Sequence, residues 1–562
     1  MTAAADRLFV NGEIHSLTEP DETYAAVAVR DGRIVRLGRT HDVAFLEGID
    51  TDVIDLDGRV LLPGFIDAHT HLTTVGRYLV HADLSAATSP DDAVSLLAAR
   101  AAEIGSTDPD ENESTDPDEN ESTASADTPA DDWVLGYGYD ESTWGDSRYL
   151  TRSDLDRVST DRPVAAFRED MHVAAVNGVG FDRVSDALAV CPDETVPTKA
   201  DTPFAEGGEP TGVLLESAID PVYEAVEPDL AATREVISAA LADCATNGIT
   251  GFHDMVRNSH APRVYRELDA HGELTARVRI NYWSTHLDAL REVGLTTNDG
   301  DEFVQTGAIK SYTDGSFGGR TAKLSEPYAD APQESGQWVV EPAALESVVA
   351  DATAAGYQFT AHAIGDEAID AVLDAYEHSA VGSSTSAARH RIEHVELASD
   401  EAISRLADSG AVASVQPNFL KWAGPDGLYD ARIGERRTET NRYRDLLESG
   451  VHLAFGSDGM PMDPLLGVHY AVNAPADTQR LTVTDALRAY TLGSAYAGFD
   501  ADRLGTIEPD KRADFVALDS SPWESPESIR DIGVAMTVVN GDVVYDGRTA
   551  GSADSASDHD AS

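Results

Sequence analysis

Cysteine is the rarest residue type in this sequence, and several common features are missing altogether. The two cysteines, Cys191 and Cys244, have no CxxC spacing, which argues against a disulfide framework. No run of about 18 apolar residues is present, which argues against a membrane-spanning helix. The first residues, MTAAADRLFVNGEIHSL, lack the basic segment and apolar stretch of a secretory signal. We therefore expect a cytoplasmic protein with no membrane association.

Basic residues are scarce as well. The 562 residues include 41 lysines and arginines against 100 aspartates and glutamates, so the formal net charge is −59. The lysines are Lys199, Lys310, Lys323, Lys421 and Lys511. Because a nucleic-acid partner requires a basic face, we expect none. The acidic residues are spread through every region. Since salt at 1 M screens their repulsion over about 3 Å, the composition predicts a protein of a halophilic organism.

The two ends of the sequence share one pattern. Apolar and polar residues alternate within LFVNGEIHSL, YAAVAVRDGRIVRLG and DVIDLDGRVLLPG near the start, and within VAMTVVNGDVVYDGR near the end. Turn pairs such as Asn11-Gly12 and Asn540-Gly541 separate the runs, as in β-hairpins. We expect residues 1–62 and 503–548 to form one small β-sandwich domain built from both chain termini.

Between these ends, strand-like runs alternate with helical stretches. This alternation predicts an α/β fold, a (β/α)₈ TIM-like barrel over residues 63–502. The candidate strands are VLLPGFIDAH, GITGFHDM, RVRINYW, GAIKSYTDG, YQFTAHAIG, HRIEHVE, AVASVQPN and VHLAFGSDG. Residues at about 75–230 would form a long insertion after the first strand, with strand-like runs WVLGYGYD and RPVAAFR.

Two segments have the composition of disordered chain. Residues 105–131 contain the octapeptide STDPDENE twice, and residues 549–562 are similarly rich in small polar and acidic residues. Such segments bury too little apolar surface to offset the entropy lost on ordering. We expect a disordered acidic insertion and a disordered acidic tail.

Side chains that bind metals occur at the ends of five of the eight candidate strands. His69 and His71 end the first strand and, being two residues apart, project to the same side. The strand ends of such a barrel form one face, where active sites lie. Each residue alone has an ordinary structural explanation, but together they predict one metal centre. The remaining members of the set are Lys310 on strand four, His362 on strand five, His394 on strand six and Asp458 on strand eight.

Several motifs together resemble those of the amidohydrolase superfamily, in particular its amidohydrolase 3 (YtcJ-like) branch. They are PGFIDAHTHL, KSYTDGSFGGRTA, AHAIGDEAI, RIEHVE, SVQPNFL and AFGSDGMP. The segment GTIEPDKRADFVALD is similar to the strand that closes the small β domain of these enzymes, with Asp510 where glycine is usual. The resemblance runs from about Leu8 to about Asp546 and implies the same barrel.

The resemblance also implies how the ligands are divided between two divalent ions. His69, His71 and Asp458 would bind the more buried ion, and His362 and His394 the second. Lys310 would bridge them as a carbamate, whose two anionic oxygens attract cations that a free ammonium would repel. Zinc suits this ligand set, with manganese, iron or nickel as alternatives. An uncarbamylated Lys310 would favour a single metal ion.

These ligands predict an amidohydrolase that cleaves a non-peptide, amide-like C–N bond of a small-molecule substrate. A metal-activated hydroxide would attack the carbon, and Asp458 would act as the catalytic acid and base. The alternatives are a mononuclear deaminase, an ester hydrolase and a non-catalytic regulator on the same barrel. Deaminases commonly have a glutamate three residues after the strand-five histidine, where this sequence has Gly365. A homo-oligomer is compatible with the sequence.

Other polar residues are predicted to contact the substrate. Arg320 could clamp an anionic group, because its planar fork matches a carboxylate. Asn418 could also donate a hydrogen bond to the substrate, and His253 and Asp254 could support the centre from behind. The predicted substrate-binding set is Asp314 and Arg320 in the DGSFGGR loop, Gln416 on strand seven, and Asp140, Trp144 and His172 in the insertion.

Overall fold

The computed structural model describes residues 4–106, 133–169, 173–188, 209–379 and 385–548. The chain divides into two units. Residues 1–72 and 241–562 make the barrel unit, and residues 73–240 make the inserted unit.

Eight parallel strands make the central sheet of the barrel unit, and each pairs with the next one along the chain. Each of the eight runs identified in the sequence overlaps one of these strands, so the predicted TIM-like barrel is confirmed. Barrel strands one to eight are Phe65–Thr70, Ile249–Val256, Arg277–Trp283, Val304–Tyr312, Phe359–Ala363, Arg391–His394, Val412–Val415 and His452–Phe455.

Strands one and eight lie at the two ends of this order and meet through the residues that follow strand eight. The Asp458 amide donates to the His69 carbonyl oxygen at 2.7 Å, and the Ser457 amide donates to Oδ1 of Asp67 at 3.1 Å. Gly456 is required here because a Cβ at this position would lie 2.4 Å from the His69 nitrogen. These contacts nearly close the barrel and bring Asp458 beside strand one.

One helix of the barrel unit shows how the sequence supplies caps at both ends. The helix Asp400–Ser409 begins after Ser399, whose hydroxyl accepts the Ala402 amide, and ends at Gly410 with φ +68°. Ile403 and Leu406 are buried on its inner face. The other α-helices of the unit are Thr40–Val43, Ala261–Ala270, Leu287–Val293, Pro342–Ala354, Asp366–Ser379, Thr385–Ala388, Leu428–Ile433, Tyr443–Glu448, Pro464–Val472, Val483–Arg488 and Ser494–Ala497.

Two further sheets are built from the ends of the chain. Their apolar side chains share one buried cluster, in which Phe9 and Phe515 meet edge to face at 5.6 Å. The four-stranded sheet has the order Arg33–Gly38, Ala26–Arg30, Arg7–Val10, Asp52–Asp55. The six-stranded sheet has the order Asp542–Asp546, Val534–Val539, Phe515–Leu518, Val60–Pro63, Glu13–His15, Thr23–Tyr24.

The run VLLPGFIDAH, interpreted as one strand from the sequence, is two strands. Val60–Pro63 belongs to the six-stranded sheet, and Phe65–Thr70 is barrel strand one. Gly64 separates them, and a Cβ there would lie 2.2 Å from the Thr250 side chain. The chain passes so close to strand two at this point that only glycine fits, and this passage links the terminal sheet to the barrel.

The inserted unit contains a five-stranded sheet that is buried on both faces. Alternate residues of one strand enter two different apolar clusters, with Val134 in one and Leu135 and Tyr137 in the other. The strand order is Val213–Leu215, Val173–Val176, Val164–Arg168, Val134–Tyr139, Ala82–Asp83. The α-helices at or within its bounds are Leu72–Val80, Pro90–Ser106, Arg152–Leu155, Gly178–Leu188, Asp220–Ala225 and Leu230–Thr246.

Parts of three predictions lie outside the described residues. These parts are residues 107–131 of the acidic insertion, the tail at 549–562, and His172. Residues 105 and 106, assigned to the disordered insertion from the sequence, are instead the last two of the helix Pro90–Ser106. Among the residues that the structure describes, no helix combines the length and apolar character needed to cross a bilayer.

Candidate metal centre

The six predicted metal ligands all lie at the C-terminal side of the barrel strands. Three of them, His69, Lys310 and His362, are within their strands. His394 is the last residue of strand six, with the left-handed φ of +76°. Asp458 follows strand eight by three residues and also has a left-handed φ, of +57°. Both strands therefore break their regular alternation where they supply a ligand.

Distances among the side chains show that the ligands converge. Nε2 of His69 and Nε2 of His71 each lie 3.5 Å from Oδ1 of Asp458. Ligand atoms of His69, His394 and Asp458 lie within 4.8 Å of one another. The ring of His394 is 4.4 Å from the ring of His362, centroid to centroid. An ion about 2.1 Å from each ligand would hold tetrahedral ligand atoms about 3.4 Å apart, so the separations suit a metal centre.

Burial favours the neutral, metal-binding form of His71, His362 and His394. It lowers the pKa of His71 to about 4 and that of His362 to about 3, with the charge of Lys310 lowering both further. The pKa of His394 falls well below its usual range for the same reasons. Since a protonated imidazole has no free lone pair, the site is ready for metal binding at neutral pH.

Lys310 is buried on strand four, and its charge acts on His71, His362 and His394. Its side chain is 1% exposed, and its Nζ has no hydrogen-bond partner among the described residues. Burial lowers the pKa of Lys310 to about 8, although Glu393 and Asp458 act in the opposite direction. Nδ1 of His394 is buried without a partner in the described part of the chain as well. Buried polar atoms are rarely left unpaired, so these two atoms fit a site completed by a bound group.

Hydrogen bonds from behind fix which nitrogen each histidine presents. Nδ1 of His69 lies 2.7 Å from Oε2 of Glu393, and Nδ1 of His71 lies 3.1 Å from the Met255 carbonyl oxygen. Nε2 of His362 lies 3.0 Å from the Gly315 carbonyl oxygen. Each acceptor takes the N–H of its ring. This leaves Nε2 of His69, Nε2 of His71 and Nδ1 of His362 free for coordination.

Glu393 is held in turn by Arg391, and both side chains are fully buried. Nε of Arg391 donates to Oε1 of Glu393 at 2.9 Å. Arg391 also donates to the Ala68 carbonyl oxygen at 2.5 Å, and Ser414 Oγ and His253 Nδ1 lie 2.9 and 2.8 Å from its guanidinium. Burial alone would raise the pKa of Glu393, but Arg391 and His69 lower it well below its usual range. It is therefore an anion inside the barrel.

Arg391 and Glu393 are functional candidates that were not predicted, although both lie within the RIEHVE motif. The sequence does contain a signal for them, because two charged residues two positions apart lie on a strand that is buried on both faces. Such residues are expected to pair inside the barrel. The contact of Glu393 with His69, which is 324 residues away in sequence, has no local signal at all.

The predicted substrate residues of the DGSFGGR loop have partners within the protein. Asp314 is fully buried and accepts the amides of Ile364 at 3.1 Å and of Gly365 and Lys323 at 2.9 and 2.8 Å. Arg320 forms a two-pronged pair with Asp330, at 3.1 and 2.7 Å. The Asp314 contacts fasten the loop to the residues that follow strand five, and neither side chain could contact a substrate without giving up a partner within the protein.

The other predicted residues differ in their surroundings. Gln416 is 1% exposed, and its Oε1 has no partner among the described residues, so a hydrogen-bonding group remains available at the end of strand seven. Asp254 is buried and accepts from the Leu72 amide and the Tyr265 hydroxyl, which makes it a structural residue. In the inserted unit, Trp144 is a core residue whose Nε1 donates to the Ala87 carbonyl oxygen at 2.8 Å, and Asp140 lies 3.3 Å from Arg168.

Comparisons with known proteins agree with this geometry. The amidohydrolase family model matches residues 52–545. The chain is 30% identical to the Bacillus subtilis amidohydrolase-type protein YtcJ, over 95% of this chain and 98% of that protein. It is 24% identical to the N-substituted formamide deformylase of Arthrobacter pascens, over 97% and 99% of the two chains.

A solved structure extends the comparison to the fold. A metal-dependent hydrolase from Pyrococcus furiosus superposes with a TM-score of 0.73 and 27% identity, over 92% of this chain and 99% of that one. The family match, the relatives and the converging ligands lead to one conclusion. The chain belongs to the amidohydrolase family and is a metal-dependent hydrolase that acts on carbon–nitrogen bonds.

Proposed function

We propose that this enzyme hydrolyses a non-peptide, amide-like bond of a small molecule at a centre of two divalent ions, with zinc as the favoured metal. The observation that carries the proposal is the convergence of His69, His71 and His394 on Asp458, together with the buried Lys310, whose Nζ has no hydrogen-bond partner among the described residues. The ions would be held by His69, His71, Lys310, His362, His394 and Asp458.

Lys310 is proposed to bridge the two ions as a carbamate. Carbamate formation requires a neutral amine, and a lysine whose pKa is about 8 supplies far more of it near neutral pH than an exposed lysine does. A charged ammonium at this position would repel two divalent ions bound beside it. Converting the amine to a carbamate replaces that repulsion by attraction and gives Nζ a bonded partner.

Asp458 is proposed as the catalytic acid and base. Its Oδ1 lies 3.5 Å from Nε2 of both histidines of the first strand, and its side chain is 19% exposed. The carboxylate can therefore lie beside these histidines and still be reached by a substrate. Bound divalent ions would supply polarisation of the substrate carbonyl and acidification of water. Asp458 would accept the proton of the attacking water and deliver it to the leaving nitrogen. Gln416 is proposed to hydrogen-bond the substrate through its unpaired Oε1.

The test is metal analysis combined with turnover of an amide panel on purified protein kept at high salt. Two ions per chain and hydrolysis of N-acyl or N-formyl amines are expected. Asp458→Asn should abolish turnover. The matched control Asp463→Ser removes a nearby carboxylate but keeps the oxygen that caps the helix Pro464–Val472, and it should retain activity. One ion per chain with release of ammonia from a ring would instead indicate a deaminase.

The proposal also covers the domain organisation, the cellular location and the oligomeric state of the enzyme. The terminal sheets share one apolar core, which supports the assignment of residues 1–62 and 503–548 to a small β-sandwich domain beside the barrel at 63–502. We infer a cytoplasmic enzyme of a salt-rich cell from the net charge of −59 and the scarcity of lysine. A homo-oligomer stays a prediction that size-exclusion chromatography with light scattering would test.

A further inference from the structure

One arginine beside the metal centre differs from most other arginines of this acidic chain. Arg257 is exposed and immediately follows barrel strand two, and among the described residues its guanidinium makes no ion pair and no hydrogen bond. The chain has 100 acidic residues for 41 basic ones, so a cation without a carboxylate partner is unusual here. The Arg257 side chain is available to an anion from outside.

Aromatic rings hold Arg257 in place and connect it to the metal ligands. Its guanidinium carbon lies 5.4 Å from the centroid of the Trp283 ring, at the end of strand three. Trp283 lies 5.1 Å from Tyr312, at the end of strand four, and Tyr312 lies 4.5 Å from His362. Met255, two residues before Arg257, accepts the hydrogen bond of His71. The row of side chains therefore ends at the predicted ligand His362, and the chain segment that carries Arg257 also contacts the predicted ligand His71.

The electrostatics of Tyr312 agree with this arrangement. Burial raises the pKa of Tyr312 to about 12, the charge of Asp458 raises it further, and the charge of Arg257 lowers it. The phenol thus lies within reach of the field of the catalytic carboxylate and also of the field of the arginine.

We propose that Arg257, Trp283 and Tyr312 form a subsite that binds the carboxylate of an anionic amide substrate, with the planar part of the substrate against the two rings. A guanidinium that lies over an indole uses its face, so its in-plane N–H groups stay free for a two-pronged contact with a carboxylate. The surrounding charge of −59 repels anions, and high salt screens attraction beyond a few ångströms. An anionic substrate would therefore depend on a direct contact of this kind.

The position of Arg257 constrains the substrate further. Successive separations of 4.5, 5.1 and 5.4 Å lead from His362 to the guanidinium, so the carboxylate must lie several bonds from the amide that is cleaved. An aryl spacer matches both this separation and the ring surfaces. This proposal rests on the proposed function, because the amide is assumed to bind at the metal centre.

The test compares 4-formamidobenzoate with its neutral counterpart 4-formamidobenzamide on the metal-loaded enzyme. The wild type should prefer the carboxylate at least ten-fold in kcat/KM. Arg257→Gln should reduce this preference to two-fold or less, with the neutral substrate little affected. Arg36 offers a matched control, because it is exposed, lies 5.1 Å from the Phe45 ring, and has no ion-pair partner among the described residues. Arg36→Gln should keep the full preference.

Three outcomes would overturn the subsite. They are no preference in the wild type, an equal loss for both substrates in Arg257→Gln, and loss of the preference in Arg36→Gln. If neither compound is hydrolysed, the proposed function fails for this class, and titration of metal-free protein with 4-aminobenzoate and 4-aminobenzamide then decides about the subsite. Tighter binding of the carboxylate that Arg257→Gln removes would support it, and equal binding of the two would refute it.

Discussion

Replacing Glu393 by glutamine should weaken metal binding even though Glu393 binds no metal. Oε1 of Glu393 accepts from Arg391 and Thr360, and Oε2 accepts from His69. A glutamine would place its oxygen toward the two donors and its NH₂ toward Nδ1 of His69. Two donors would then face each other, and the imidazole would relieve this by moving its proton to Nε2. That nitrogen is the one 3.5 Å from Asp458, at the metal centre.

The size of the effect follows from burial. Substitutions of residues that orient metal ligands typically cost about 10- to 100-fold in metal affinity, and we expect a value in this range. Arg391 would also lose its counter-charge while fully buried, and breaking such a pair costs about 3–5 kcal/mol of folding free energy. Arg391 keeps its hydrogen bonds to two uncharged acceptors, the Ala68 carbonyl oxygen and the Ser414 hydroxyl. We therefore expect the loss of folding free energy to lie near the lower end of that range.

Two measurements at pH 6.5 test this prediction. Metal affinity is measured as retention of the ion against chelators of graded strength, and the free energy of unfolding is measured by denaturant unfolding of the metal-free protein. Glu396→Gln is the matched control, because Glu396 is a second buried glutamate on the same segment and does not contact His69. Burial raises the pKa of Glu396 to about 8, so at pH 6.5 the substitution replaces one neutral group by another. If Glu393→Gln retained wild-type metal affinity, or if the control lost as much, the tautomer argument would be wrong.

Three other predictions concern Lys310, Glu396 and salt. Lys310→Ala should lower metal content and activity, and short carboxylic acids should restore part of both. Full activity without them would remove the bridging role. The pKa of Glu396 is raised above its unfolded value of 4.5, so its stabilising effect is complete below about pH 4.5 and is lost as pH rises through about 8. Glu396→Gln should therefore flatten the fall in denaturation midpoint between pH 5 and 8, and an unchanged slope would contradict the assigned pKa. Dialysis from molar to millimolar potassium chloride should reduce secondary structure seen by circular dichroism, and indifference to salt would count against adaptation to a salt-rich cytoplasm.

The barrel could be predicted from the sequence because its signals are local. Each strand is a short apolar run, and helices with capping residues such as Ser399 and Gly410 separate the runs. The division of VLLPGFIDAH into two strands had no such signal. Gly64 is the break, but the reason is the approach of Thr250, which is distant in sequence.

That the candidate metal ligands would lie at one end of the barrel could be predicted for a similar reason, since strand ends of one barrel share one face. The partners of Asp314 and Arg320 in the DGSFGGR loop could not be predicted. Arg320 was expected to face an anionic substrate, and its side chain is instead paired with Asp330 ten residues later, in a loop whose path no periodicity predicts. Arg257 has no signal in the sequence, because a single arginine after a strand is unremarkable until its neighbours on two other strands are known.

The contrast between the interior and the surface explains how one chain combines extreme charge with a finely adjusted site. Charges on the surface are screened by salt, so their number sets solubility and has little influence on the reacting groups. Arg391 and Glu393 form an ion pair in the barrel interior, where salt screens charges only weakly. Glu393 therefore interacts strongly with His69. Arg257 lies between these two situations, since its guanidinium carbon is 5.4 Å from the Trp283 ring centroid while the residue is exposed. Because it has no carboxylate partner among the described residues, an incoming anion can contact it directly without first displacing a carboxylate of the protein.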